Sequence, residues 1–160
     1  MQDSIITGIE EFSSSHPHAD SIIQILNEQA RGWNEGNAEM YANAFSEDGS
    51  FTNIFGMFFK GHQTFFQKHD MILKNVFKNS RFEYKLVHLQ FPVDEVAVVE
   101  TLITVSAFNK SGSFNLIHTD KEGRMFTRLV QVMVKKINSW KIISYHNLDI
   151  KEGIAIPELV

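Results

Sequence analysis

The second half of the chain holds four runs in which polar and apolar residues alternate: "RFEYKLVHLQF", the β-branched "DEVAVVETLITVSAF", "GRMFTRLVQVMVKK" and "WKIISYHNLDI". A period of two predicts strands, and strands joined by tight connections must pair antiparallel. Pro92 to Asp94 and the "INS" ahead of Trp140 are such connections, whereas "NKSGSFNLIHTDKEG" is a longer polar loop or extended arm. The first half has the helical period instead. Ile22, Ile23, Leu26, Ala30 and Trp33 predict an amphipathic helix over 17–33, with Pro17 in its first turn, Ser15 as its cap and Gly36 as its stop. A short second helix begins at Asn37 and ends before a turn at "SEDG". Phe51 to Ile54 reads as a short strand, "GMFFKG" as a turn and a second short strand, and Gln63 to Phe77 as a third helix with Phe66, Leu73 and Phe77 on its apolar side. Three helices followed by four hairpin-linked strands predict an α+β fold. The expected form is a cone-shaped, curved antiparallel sheet wrapped around the helices, which cannot fill it completely and so leave an internal apolar pocket.

Composition narrows the function. A chain of 160 residues suits one domain, with its core over about 20–150, a polar leader over 1–16 and a tail over 151–160. No apolar run approaches the ~20 residues of a membrane helix, and the acidic start "MQDSIITGIEEFSSS" lacks the pattern of a signal peptide, so a cytoplasmic protein is expected. With no cysteine, disulfides, thiolate nucleophiles and Cys-ligated metals are excluded. A net charge of -4 with scattered Lys and Arg argues against nucleic acid as a partner. No His-x-x-x-His pair sits with a carboxylate on a helix, and "HPH" is too poor in ligands for a metal site. Neither a phosphate-cradling glycine loop nor a Gly-x-Ser-x-Gly elbow is present. No cofactor and no metal are expected.

The candidate site residues are polar groups in apolar surroundings. His146 on the last strand is either a proton-exchanging group or a half-buried strand histidine bonded to a neighbour. If Asn138 and Ser139 form a two-residue turn, Gln131 lies opposite His146 and Arg128 opposite Asp149, and a bulge would swap these assignments. His69, three residues from Phe66 and four from Leu73, sits beside the apolar side of the third helix, in core or pocket, while its neighbour Asp70 points about 100° away into solvent. Glu100 interrupts an apolar strand and is either a general base or the partner of a Lys or Arg across the sheet. Trp33 and Tyr41 supply apolar wall with a polar tip.

In its segments "ARGWNEGNAEMYANAFSEDGSFTNIFG", "FKGHQTFFQKHDMILKNVFKNSRFE" and "VMVKKINSWKIISYHN", the sequence resembles the nuclear transport factor 2-like superfamily, of cystatin-like α+β cone fold. Within it the likeness is to the SnoaL-like, SgcJ/EcaC-type branch, over roughly 20–150. The resemblance implies that Trp33, Asn34, Asn53, His69, His146 and Asn147 line the pocket or brace its walls. It also implies activities ranging from isomerase, dehydratase and cyclase to none. Asn79 stands where the family has Gly, and no Asp matches the base of the isomerase and cyclase relatives.

Together these readings predict a small-molecule-binding pocket protein, homodimeric through its sheet face, with an acid–base reaction on a small apolar substrate as one outcome and a non-catalytic binding or dimerisation module as the other. The expected proton carriers are His69 and His146, and the expected ligand contacts are Trp33, Tyr41, Asn53, Glu100, Gln131 and Asn147, with Asn53 or Gln131 holding a developing oxyanion.

Overall fold

The computed structural model describes residues 6–159. The first five residues of the polar leader and Val160 lie outside that range. Helix α1 spans Ala19–Asn34, α2 Ala38–Ala42 and α3 His62–Lys74. The strands are β1 (Ile6–Thr7), β2 (Phe45–Thr52), β3 (Phe58–Lys60), β4 (Arg81–Val93), β5 (Val96–Ser106), β6 (Met125–Lys135) and β7 (Trp140–Asp149). They form one curved, unclosed sheet in the order β1-β4-β5-β6-β7-β2-β3. The four long strands β4 to β7 pair antiparallel in sequence order, as their alternation requires. The flanking pairings β1–β4 and β2–β7 are parallel, and in each the two strands are joined by a long crossover and not by a tight turn.

In α1 the apolar stripe Ile22, Ile23, Leu26, Ala30 and Trp33 is buried, which is what a helical period with one core-facing side produces. Ser15 does not cap it. Its hydroxyl donates to Phe12 O at 2.7 Å, and the N-cap position falls at His18, without a side-chain cap. The helix stops where Gly36 takes a φ of 68°, and Asn37 then caps α2 by accepting from Met40 N at 3.0 Å. The helices lie so close at this junction that Asn37 N–H reaches back to Gly32 O at 2.7 Å.

Three sequence expectations change. "SEDG" is not a turn between elements but an irregularity inside β2, where the pairing with β7 jumps from Phe45↔Ile142 to Ser50↔Ser144. The stripe of α3 runs through Phe65, His69 and Leu73, one position away from Phe66, so His69 lies in the middle of the buried face rather than beside it. The third change is the β6–β7 register. Lys135 faces Trp140 across the connection 136–139, and Ile143 is an extra residue on β7, between the pairs Met133↔Ile142 and Val132↔Ser144. Gln131 therefore faces Tyr145, not His146, and Arg128 faces Leu148, not Asp149, whose partner is Thr127. One bulge thus turns Tyr145, Asn147 and Asp149 inward and His146 outward. Asn79, in place of the family's Gly, holds a φ of 60°, a left-handed conformation that Asn tolerates.

The tail folds back on the outside of the sheet. Arg128 donates both guanidinium nitrogens to the Glu158 carboxylate at 2.8 and 3.1 Å, and Lys85 Nζ donates to Glu158 O at 3.1 Å. Lys85, Leu102 and Arg128 are consecutive in one cross-strand row, and Leu102 is buried although it points outward. The chain's own C-terminal turn accounts for that part of the covered outer face.

Candidate functional site

The space between sheet and helices is a cavity of about 480 Å³. Its walls come from α1 and α2 (Trp33, Tyr41), α3 (Lys68, His69, Ile72), the inner face of β5 to β7 (Ile103, Leu129, Tyr145) and the segment 107–124, which carries Phe114. That segment lies over one end of the cavity, with the Phe114 ring edge-on to Phe55 and Phe77 at 5.3 Å each. Met57, Met71 and Leu116 line the cavity and are exposed, so they form its rim. Long unbranched methionines there can adapt to ligands of different outline.

At the centre of the polar inventory are His69, Tyr41 and Tyr145. The imidazole lies between rings, 4.2 Å from Phe65, 4.7 Å from Tyr41 and 6.1 Å from Tyr145 between centroids. Its Nδ1 is 2.8 Å from Phe65 O; a carbonyl only accepts, so Nδ1 carries the proton and Nε2 keeps a lone pair. Nε2 has no partner among the described residues. Burial removes the solvation of the charged form and lowers the pKa of His69 to about 4, so the ring is neutral at pH 7. The hydroxyls of Tyr41 and Tyr145 are 2.6 Å apart. Only one proton can lie between them, so one hydroxyl of the pair keeps an O–H to donate elsewhere. Burial raises both phenols, Tyr145 to about 12, so both remain neutral donors.

Of the residues expected to line the pocket, Trp33, Tyr41, Asn53, His69 and Asn147 do so. Trp33 lines the cavity but spends its Nε1–H on Ser80 Oγ at 2.8 Å, so it offers apolar wall. Asn53 spends its carbonyl oxygen on Phe55 N and Met57 N, at 3.0 Å each, which ties the turn 53–57; only its amide nitrogen is left for a ligand. Asn34, the other half of "WN", clamps β4 through Phe82 N and O.

Three residues are elsewhere. His146 is exposed on the outer face, 3.1 Å from Ser144 Oγ, and does not meet His69. Glu100 also points outward, opposite Val130 and 3.9 Å from the Arg128 guanidinium, so the cross-sheet partner reading describes it. Gln131 points inward but is wholly buried, its amide exchanging two hydrogen bonds with Gln29 at 2.8 and 3.1 Å. A pair of this kind fixes α1 on β6, and Gln131 does not reach the cavity wall where a ligand would lie. Tyr145, Thr127 and Lys68 were missed. Tyr145 and Thr127 were legible only through the register, and Lys68 through the true helical stripe, which turns it toward the cavity, its Nζ 4.6 Å from the centre of the Phe59 ring. Among the described residues no cluster of three or more His, Cys, Asp or Glu could hold a metal, and no helix is long and apolar enough to cross a membrane.

Solved structures of the same fold include a cystatin-like domain of unknown function from Nostoc punctiforme (TM-score 0.69, 21% identity, covering 84% of this chain and 78% of that one). An uncharacterised cystatin-like protein from Caulobacter vibrioides is similar (TM-score 0.67, 24% identity, 83% and 89%). So is a candidate scytalone dehydratase from Novosphingobium aromaticivorans (TM-score 0.67, 12% identity, 86% and 87%). No curated protein matches the sequence. The model of the SnoaL-like domain matches residues 22–147, most of the chain, from the first turn of α1 nearly to the end of β7. The chain belongs to the SnoaL-like domain family.

Proposed function

We propose that the protein binds a small, largely apolar molecule in this cavity and moves a proton on it, with His69 as base and the free O–H of the tyrosine pair as hydrogen-bond donor. The observation that carries this reading is a neutral histidine with an unpartnered Nε2 beside two buried, coupled phenols in an otherwise apolar enclosure. A ligand carbonyl facing Tyr145 would place an adjacent C–H toward His69. Nε2 takes that proton as the C–H bond breaks, and the electron pair forms an enolate whose oxygen accepts from Tyr145, backed by Tyr41. Returning the proton to another carbon, or expelling a β-hydroxyl, makes the outcome an isomerisation or a dehydration. The fold likeness to the candidate scytalone dehydratase is compatible with that class but does not decide it.

The test is deuterium exchange at the α-carbon of an apolar ketone, 2-tetralone, followed by NMR in D₂O alongside binding measured by thermal shift. Binding with exchange above background is expected, together with a loss of about 10²-fold or more of that exchange in His69→Gln. Binding without exchange would make the protein a ligand-binding module. A lack of response to any apolar ketone or arene would sink the cavity reading.

The outer face of β5 and β6 carries Val96, Val98, Val130, Val132 and Val134 in adjacent cross-strand positions, all half-buried. This stripe supports a homodimer formed through the part of the sheet face that the tail leaves open. Sedimentation should show a dimer at micromolar concentration, and Val132→Lys should make it monomeric; a monomer in the unaltered protein would refute it.

A further inference from the structure

Against one end of the cavity lies a second polar group of residues that the proton-transfer scheme does not use: Thr127 and Asn147 on its wall and Asp149 next to them. Thr127 Oγ1, Asn147 Oδ1 and Asp149 Oδ1 are each buried and each without a hydrogen-bond partner. They are the buried side-chain polar atoms in that state among the described residues. They are also neighbours. Thr127 and Asp149 are direct cross-strand partners, and Asn147 is two residues from Asp149 on the same face of β7. Thr127 is fully buried, and Thr127 and Asn147 line the cavity. Asp149 accepts a long bond, 3.5 Å, from His118 N–H in the segment over the cavity, through its other oxygen.

Leaving a buried polar atom unpartnered costs stability, and such atoms are rare in folded proteins; three side by side mark a place where a partner arrives from outside the chain. All three atoms are oxygens that accept, and the hydroxyl of Thr127 is the one that also donates. A carboxylate beside them disfavours an anion. Resting on the cavity reading above, we propose that Thr127, Asn147 and Asp149 form a subsite for a donor group, the hydroxyl or amine of an otherwise apolar ligand, at the end of the cavity covered by 107–124. The ligand class this defines is an aromatic or alicyclic alcohol or amine, held by its apolar body against the rings and by its donor against the three oxygens. A carboxylic acid is disfavoured.

The experiment uses the full chain and three probes with one ring system, naphthalene, 2-naphthol and 2-naphthoate, with affinities measured by calorimetry at one pH near 7.5. The expected order has 2-naphthol at least tenfold tighter than naphthalene, and 2-naphthoate weakest. Thr127→Val should cut the preference for 2-naphthol over naphthalene to under threefold while leaving naphthalene bound, and Asp149→Asn should tighten 2-naphthoate. Thr127→Val should also raise the melting temperature of the ligand-free protein by about 2–4 °C, because it removes an unsatisfied buried hydroxyl without changing volume. Naphthalene binding alone tests the cavity, and the 2-naphthol preference tests the subsite. An unchanged preference in Thr127→Val, a preference lost only in Tyr145→Phe, or a fall in melting temperature on Thr127→Val would each overturn the subsite with the cavity intact. No binding of any probe would overturn both.

Discussion

Gly32→Ala is expected to destabilise the protein by about 1–3 kcal/mol and to lower its melting temperature by roughly 3–10 °C, although alanine is the better helix former by about 1 kcal/mol. A Cβ on Gly32 would lie 2.6 Å from Tyr41 N, 3.0 Å from Asn37 O and 3.1 Å from Met40 C. All three are backbone atoms of α2 or its cap, so no side chain can swing aside to make room. The contact is also fastened, since Asn37 N–H donates to Gly32 O at 2.7 Å. Relief therefore requires α2 to move as a unit. Tyr41 rides on α2, and a shift of a few tenths of an ångström separates its hydroxyl from that of Tyr145 and its ring from His69. The loss of stability should come with a loss of ligand binding at temperatures where the variant is still folded. Gly36→Ala is the control: it keeps the unfavourable φ of 68° but meets nothing within 4 Å, so it should cost about 1 kcal/mol and leave binding alone. Melting by circular dichroism decides between them. A Gly32→Ala protein that melts with or above the unaltered one would show that the two helices are not held at this distance.

The parts of the fold that were legible in the sequence are those in which local pattern and tertiary environment agree. The stripe from Ile22 to Trp33 and the alternation of β4 to β7 each reflect one buried face, so period alone locates them. Legibility fails where a single residue changes which face is buried. The extra residue Ile143 in β7 decides whether His146 or Tyr145 and Asn147 meet the cavity, and nothing in "WKIISYHNLDI" marks the bulge because Ile143 has ordinary strand chemistry. The same holds in α3, where Phe65 and Phe66 are adjacent and equally apolar; the choice between them sets the position of His69. "SEDG" has the composition of a turn and lies inside β2 because Phe45 and Ser50 on either side of it pair with β7, a partner almost a hundred residues away along the chain. Gln131 looked like a ligand contact because a lone glutamine in an apolar strand needs a partner. Its partner is Gln29, on a helix whose placement no local pattern gives. The family resemblance supplied Asn53, His69, Asn147 and His146, and the register explains why Asn147 lines the cavity while His146 does not.

His69 should make stability depend on pH in a window that its own pKa defines. An unfolded histidine takes up a proton near 6.5, whereas burial holds the folded ring unprotonated down to about 4. Above pH 6.5 both states are neutral at this position, and the group adds no pH dependence. As the pH falls from 6.5 toward 4 the unfolded chain binds a proton that the folded one refuses, so stability drops. The drop reaches about 2 kcal/mol at pH 5 and about 3 kcal/mol once the pH is below 4. Urea unfolding at pH 7.5 and pH 5 isolates the effect when it is run on the unaltered protein and on His69→Gln. Other groups also titrate, including Asp149, whose carboxyl burial raises, but they are common to both proteins and cancel in the difference. At pH 7.5 the variant should be the less stable of the two, having lost ring packing against Phe65 and Tyr41. At pH 5 its deficit should shrink by about 2 kcal/mol. An equal deficit at both pH values would mean that the folded ring protonates near its ordinary value, with water or an anion reaching Nε2, and the dry, desolvated setting that the proposed site gives His69 would be refuted.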